Sequence, residues 1–189
     1  MQEKGFTLIE LLVVIAILTV LSVAVVLTLN PAQLLAQARD STRISDVSTL
    51  KSAISLYLAD VSSPSIGATN TIYAMAVTVT STPNIDRSSS TLIVSAASSS
   101  AASTTGGGWI PVNFNTISSG SPLGAEPIDP INNVTYYYSY VTNGSPNFQF
   151  EINANMESIK YASSGGSDVE STDGGTVLRI YEAGTNLGL

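Results

Sequence analysis

Gly5-Phe6-Thr7-Leu8-Ile9-Glu10-Leu11-Leu12-Val13-Val14-Ile15 opens an apolar run that continues to Leu29, broken from Leu8 onward only by Glu10, Thr19, Ser22 and Thr28. As a helix, residues 8–29 extend about 33 Å at about 1.5 Å per residue, enough to cross a hydrocarbon core of about 30 Å. The many Val and Ile residues do not oppose this, because in lipid the backbone must satisfy its own hydrogen bonds and a helix does so. Pro31 stands just past the run, where it interrupts the hydrogen-bond ladder or kinks the helix. Three roles compete for such a segment: a plain single-span anchor, a secretory signal cut after the small-residue triplet Ser22-Val23-Ala24, and a helix that leaves the bilayer to pack against copies of itself. Glu10 bears on the choice, since a carboxylate inside an apolar stretch is costly and usually marks function.

The rest of the composition narrows the field. A chain of 189 residues has room for one small globular domain plus an extended segment. Only 11% of residues are charged, the net charge is −7, and the seven basic residues are scattered, so no nucleic-acid surface is indicated. The chain has no Cys and no His. Disulfides, thiolate nucleophiles and thiolate metal sites are therefore excluded, and the commonest general base and transition-metal ligand are missing. A hydrolase built on carboxylates such as Asp129 and Glu151 has no supporting motif. The chain also has no Gly-rich phosphate loop. It is expected not to be an enzyme.

Beyond Pro31 the pattern turns amphipathic. Ile44, Val47, Leu50, Ile54, Tyr57 and Val61 recur at steps of three or four, one face of a helix over 32–60 that ends at the Ser62-Ser63-Pro64 loop signal. Asp40, Arg43, Asp46 and Lys51 are expected on the other faces, with weak i,i+3 pairing of Asp40–Arg43 and Arg43–Asp46. Tyr73, Met75, Val77 and Val79 alternate as in a strand, and the Ser-rich segment from Ser95 to Gly108 reads as an exposed loop. Tyr136, Tyr138 and Tyr140, then Phe148, Phe150 and Ile152, alternate on either side of Asn143-Gly144-Ser145-Pro146, which predicts a hairpin. Its aromatic stripe reads as core. Val177, Arg179 and Tyr181 predict a further strand. Asn133-Val134-Thr135 has the form of an N-glycosylation acceptor.

The stretch Gly5 to Ile15 resembles the class III signal of type IV prepilins and type II secretion pseudopilins. That resemblance implies cleavage after Gly5 by a membrane prepilin peptidase and N-methylation of the new terminus at Phe6. It also implies a role for Glu10 in assembly, neutralising the Phe6 amine of a neighbouring subunit and so setting the stagger between packed helices. The leader is lightly basic, Lys4 being offset by Glu3, a departure from the usual pattern. Arg39-Asp40-x-x-Arg43-x-x-Asp46-x-x-x-Leu50 is similar to the same segment of major pseudopilins. So is Pro127-Ile128-Asp129-Pro130-Ile131-Asn132-Asn133 followed by Tyr136, with Trp109-Ile110-Pro111 upstream. Major pseudopilins hold calcium in a C-terminal loop where Asp168 and Asp173 stand here; a solvated acidic turn is the alternative.

The expected fold is α+β, a long N-terminal helix packed on a small antiparallel sheet. Its parts are a leader (1–5), a transmembrane or filament-core helix (6–30), its amphipathic continuation (31–62) and a Ser/Thr/Gly-rich β-domain (63–189). The expected function is that of a pilus or pseudopilus subunit precursor, held in the inner membrane with its N-terminus cytoplasmic and then assembled into an extracellular or periplasmic filament. Its partners would be lipid, copies of itself, prepilin peptidase and an assembly platform with a motor ATPase. The rival reading is a membrane-anchored or secreted surface-binding domain.

Overall fold

The structure is a computed structural model in which residues 5–69, 71–74, 92–95 and 102–189 are described. Helix α1 (Leu8–Leu29) holds the whole apolar run, and every described side chain on it is exposed. Its hydroxyls are satisfied within the helix: Thr19 donates to the carbonyl of Ala16 (2.8 Å), Ser22 to Leu18 (2.7 Å) and Thr28 to Ala24 (2.7 Å). Side chains bonded back in this way leave no donor stranded in an apolar medium.

The helical chain is divided at Asn30, which takes a left-handed φ of 42° and ends α1. Asn tolerates that conformation better than other non-glycine residues. Pro31 then starts α2 (Pro31–Asp60), at a position where its missing N–H costs nothing. The buried side chains of α2 are Ala36, Asp40, Arg43, Val47, Leu50, Ala53, Ile54 and Tyr57. Apart from Ala53 they advance by alternating steps of four and three along one stripe. Asp40 and Arg43 therefore lie on the core-facing stripe, not on the outer faces where their charge had placed them.

The sheet has the order β2 (Leu92–Ser95), β1 (Thr71–Ala74), β3 (Ser139–Thr142), β4 (Phe150–Ala154), β5 (Tyr181–Gly184). The pairs β1–β3, β3–β4 and β4–β5 are antiparallel, and β2 joins the edge parallel to β1. Tyr73, Tyr140, Ile152 and Ala183 lie in one cross-strand row. This face packs on α2: Tyr138, Tyr140, Phe150, Ile152 and Ala154 share one core with Val47, Leu50, Ile54 and Tyr57, which Trp109, Ile110 and Phe114 complete. The polar tips of the buried rings are answered, Tyr140 by the carbonyl of Ile66 (2.8 Å) and Trp109 by that of Pro127 (3.0 Å).

The predicted hairpin is β3–β4, closed by a turn in which Gly144 has φ of 44° and a Cβ would lie 2.8 Å from the Thr69 hydroxyl. The last strand begins at Tyr181, later than its alternation suggested. Val177 to Ile180 form a turn instead, held by Ile180 N–H on the Val177 carbonyl and by Val177 N–H on Glu182. Of the first predicted strand, Tyr73 lies in β1, while Met75, Val77 and Val79 fall outside the described residues. The Ser-rich segment is partly structured: Ser95 ends β2, Glu126 N–H bonds the carbonyl of Ala102, and Phe114 N–H bonds that of Thr104.

Polar side chains fasten α2 at both ends. Near the start, Gln33 accepts from Ile159 N–H (3.0 Å), and Asp40 accepts from the N–H groups of Glu157 (2.9 Å) and Ser158 (2.8 Å). At the far end Asp60 accepts from the backbone and hydroxyl of Ser118, both at 2.6 Å. Between them Arg43, fully buried, donates to both oxygens of Asp129 (2.7 and 3.0 Å) and to Asp40 (2.7 Å). Arg43→Met leaves two buried carboxylates without their cation and is expected to cost about 3–5 kcal/mol, read by urea unfolding of the detergent-solubilised chain. Adding Asp129→Asn should recover part of that loss, because a neutral amide replaces the unpaired charge.

Candidate functional site

The residues singled out for processing and assembly meet at the start of α1. Gly5 and Phe6 precede the helix in non-helical conformation, and Phe6 is 82% exposed. A Cβ built on Gly5 would meet nothing within 4 Å, so neither packing nor a turn requires glycine there. Thr7 is the N-cap. Its hydroxyl accepts from Glu10 N–H (3.3 Å), while a Glu10 carboxylate oxygen accepts from Thr7 N–H (2.9 Å) and from the Thr7 hydroxyl (2.7 Å). This reciprocal capping box ties down backbone N–H groups that a helix start leaves unpaired. The Thr-x-x-Glu spacing of Thr7 and Glu10 announces it in the sequence, although Glu10 was read there only as an assembly residue. The carboxylate has other lone-pair positions, so capping leaves it able to accept a further donor.

The charges on α2 form a second cluster, with the domain. Arg39 makes a two-pronged pair with Glu157 (2.7 and 2.5 Å), whose carboxylate also lies 3.5 Å from Arg43. Tyr136 stacks its ring 5.0 Å from the Arg43 guanidinium carbon, and Tyr138 donates to Asp46 (2.9 Å). Burial alone would raise the Asp129 carboxyl, but Arg43 and the N–H groups of Ile131 and Asn132 hold it below its ordinary value. The Arg39 bonds lower Glu157 likewise. The candidate hydrolytic carboxylates are not brought together. Asp129 is held by Arg43, whereas Glu151 sits on the sheet face away from α2 and accepts from Leu189 N–H (3.0 Å).

Several buried acids are instead shifted upward. Glu126 accepts from Ile110 N–H (3.0 Å) with its other oxygen unpartnered, and burial pushes its carboxyl up to about 8. Glu182 on β5 is pushed up to about 7, by burial and then by Glu151 and Asp173. In the C-terminal loop, Asp168 accepts from the N–H groups of Ser164, Glu170 and Ser171 and from the Ser171 hydroxyl. Asp173 accepts from Gly175 (2.8 Å) and Glu182 (2.6 Å). These carboxylates face the chain's own N–H groups, and among the described residues no three acids converge to hold a metal. A calcium cradle wants several oxygens turned on one point, so Asp168 and Asp173 would need carbonyl or hydroxyl oxygens beside them to make one.

A family model described as the prokaryotic N-terminal methylation motif matches residues 1–26. This motif is the prepilin signal of type IV pilins and pseudopilins, and it supports reading the chain as a pilin-like precursor. No curated protein and no solved structure matches the chain. The motif and the apolar helix Leu8–Val26, long enough to cross a bilayer and unburied by the domain, fit a membrane-anchored form of such a precursor.

The two sets of acids give stability opposite pH slopes. Glu126 and Glu182 bind protons more tightly folded than unfolded, so their contribution is complete below the ordinary value of 4.5 and is lost as pH rises through about 7 and 8. Asp129 and Glu157, held low, contribute once pH exceeds their ordinary values of 3.8 and 4.5 and lose that contribution in stronger acid. The melting temperature is expected to fall between about pH 5.5 and about pH 8.5, and Glu126→Gln should flatten that fall in a thermal scan monitored by near-UV circular dichroism.

Proposed function

We propose that the chain is the precursor of a filament subunit, cut between Gly5 and Phe6 by prepilin peptidase, methylated at Phe6, and assembled through α1. The observation that carries the reading is the methylation motif over residues 1–26, set on a helix whose described side chains all lie outside the domain core. An apolar surface of that extent is stable only in lipid or against other apolar helices. Gly5 fits a residue kept for recognition by an enzyme, since the fold makes no demand on it.

In this reading the precursor sits in the inner membrane with its first residues cytoplasmic and its domain on the far side. An assembly platform and motor ATPase draw it into a filament, which stands in the periplasm or outside the cell. Cleavage creates a charged amine on Phe6 at the dipole-positive end of a helix. Glu10 of an adjacent subunit answers it, and because an unpaired charge among apolar helices is so costly, the pair fixes the axial stagger.

Gly5→Leu should block maturation, leaving Met1 as the N-terminus of the membrane-bound chain in Edman or mass analysis. Glu10→Gln retains a capping acceptor but not the charge, whereas Glu10→Ala removes both. Both variants should still insert in the membrane, and both should yield at least ten-fold less sheared filament than wild type. Wild-type filament yield from Glu10→Gln would show that capping, not charge, is what assembly needs.

The acidic loop is assigned a separate task in this reading, holding the C-terminal segment through Asp168 and Asp173 by N–H capture without calcium. Thermal melts with excess calcium and with chelator are then expected to coincide. A rise of several degrees on adding calcium would restore the cation to the loop.

A further inference from the structure

We propose that Asn133 is an N-glycosylation site, accepting a glycan from a lipid-linked oligosaccharide diphosphate. The inference rests on the exported placement of the domain proposed above, since the donor and its transferase act on the far side of the membrane. Asn133-Val134-Thr135 satisfies the acceptor pattern, with a small residue in the middle and no proline. All three residues are exposed, Val134 at 69%.

The side-chain hydrogen bonds of Asn133 run through its carbonyl oxygen, which accepts from the N–H groups of Thr135 and Tyr136, both at 2.8 Å. Those two donors identify the oxygen, so Nδ2, the atom to be glycosylated, is the end of the exposed carboxamide that they do not engage. The loop is fixed from beneath. Asp129 accepts from Ile131 N–H (2.8 Å) and Asn132 N–H (3.2 Å), and Asn133 N–H bonds the Tyr136 carbonyl (2.9 Å). A sugar on Nδ2 therefore adds to the surface without displacing a buried contact.

A second match to the pattern, Asn143-Gly144-Ser145, provides a contrast within the same chain. It lies inside the β3–β4 turn, where Asn143 is half-buried and its N–H bonds the Gln149 carbonyl (2.9 Å). Gly144 is buried, and Pro146 follows at once. A transferase must draw the acceptor tripeptide into its own cleft. Residues 133–135 can be reached as they stand, whereas reaching 143–145 requires opening the hairpin.

In the transfer, Nδ2 attacks the anomeric carbon of the first sugar. The new C–N bond forms as the C–O bond to the diphosphate breaks, the lipid diphosphate leaves with the bonding pair, and one Nδ2 proton passes to a base of the transferase.

The test is peptide mass spectrometry of the full chain, isolated from the cells that make it. The expected result is a glycan mass on the peptide holding Asn133 and a bare Asn143. The increment should vanish in Asn133→Gln and in Thr135→Ala, and persist in Thr135→Ser. Thr135→Ala keeps the backbone donor to Asn133, and a near-UV circular dichroism spectrum matching wild type separates its loss of glycan from a folding failure. A bare Asn133 in the wild-type chain, or sugar found on Asn143 instead, overturns the proposal. The N-terminus of the same sample separates the two readings: a start at Phe6 with bare Asn133 sinks the glycan alone, whereas a start at Met1 with bare Asn133 counts against export as well.

Discussion

A guanidinium without access to water must have its N–H groups answered by the protein, and Arg43 meets that demand with two carboxylates and the edge of a third. Asp40 comes from its own helix, Asp129 from the segment before β3, and Glu157 from the segment after β4. One side chain of α2 thereby fixes both ends of the central hairpin. The loop residues in turn use the remaining valence of those acids, since Asp129 also takes the N–H groups of Ile131 and Asn132 and Asp40 those of Glu157 and Ser158. The apolar stripe from Val47 to Tyr57 supplies adhesion between helix and sheet, but adhesion has no preferred register. The charged cluster supplies the register.

The other face of the sheet works in the opposite sense. Among the described residues Glu151 and Glu182 make no ion pair there, and they are covered by the turn at Val177 and the chain end at Leu189. Burial without a cation favours the protonated acid, and the Glu126 carboxyl under Trp109 and Ile110 behaves in the same way. Asp129 and Glu157, where α2 crosses the loops, are thus held below their ordinary values, whereas Glu151 and Glu182, where strands β4 and β5 are backed by the C-terminus, are raised above theirs. The division follows the cations that do not deprotonate, since Arg43 holds Asp129 low and Arg39 holds Glu157 low.

How much of this could be read beforehand depended on whether hydrophobicity or charge carried the signal. The hairpin was legible because Tyr138, Tyr140, Phe150 and Ile152 alternate around turn residues, and the rings are buried as the alternation implies. The helix stripe was legible from Val47 to Tyr57. Extending its steps backwards lands on Arg43, Asp40 and Ala36, yet the charges were assigned to solvent, since nothing local reveals partners 86 and 118 residues away. The last strand was placed early because Val177, Arg179 and Tyr181 alternate as strand residues do. What wins there is Glu182 reaching back to Val177 N–H, a contact that converts the segment to a turn. At the helix start, Thr7 and Glu10 carried a capping signal that the more conspicuous question of a charge in an apolar run obscured.

The three hydroxyls of α1 bear on how such a helix can change its surroundings. Thr19, Ser22 and Thr28 each close a hydrogen bond on a carbonyl of the preceding turn, so the rod meets its environment with methyl and methylene groups along nearly its whole length. Moving it from acyl chains to other side chains of like polarity requires no hydrogen bond to be broken and remade. Along that length the two media would differ chiefly in packing density.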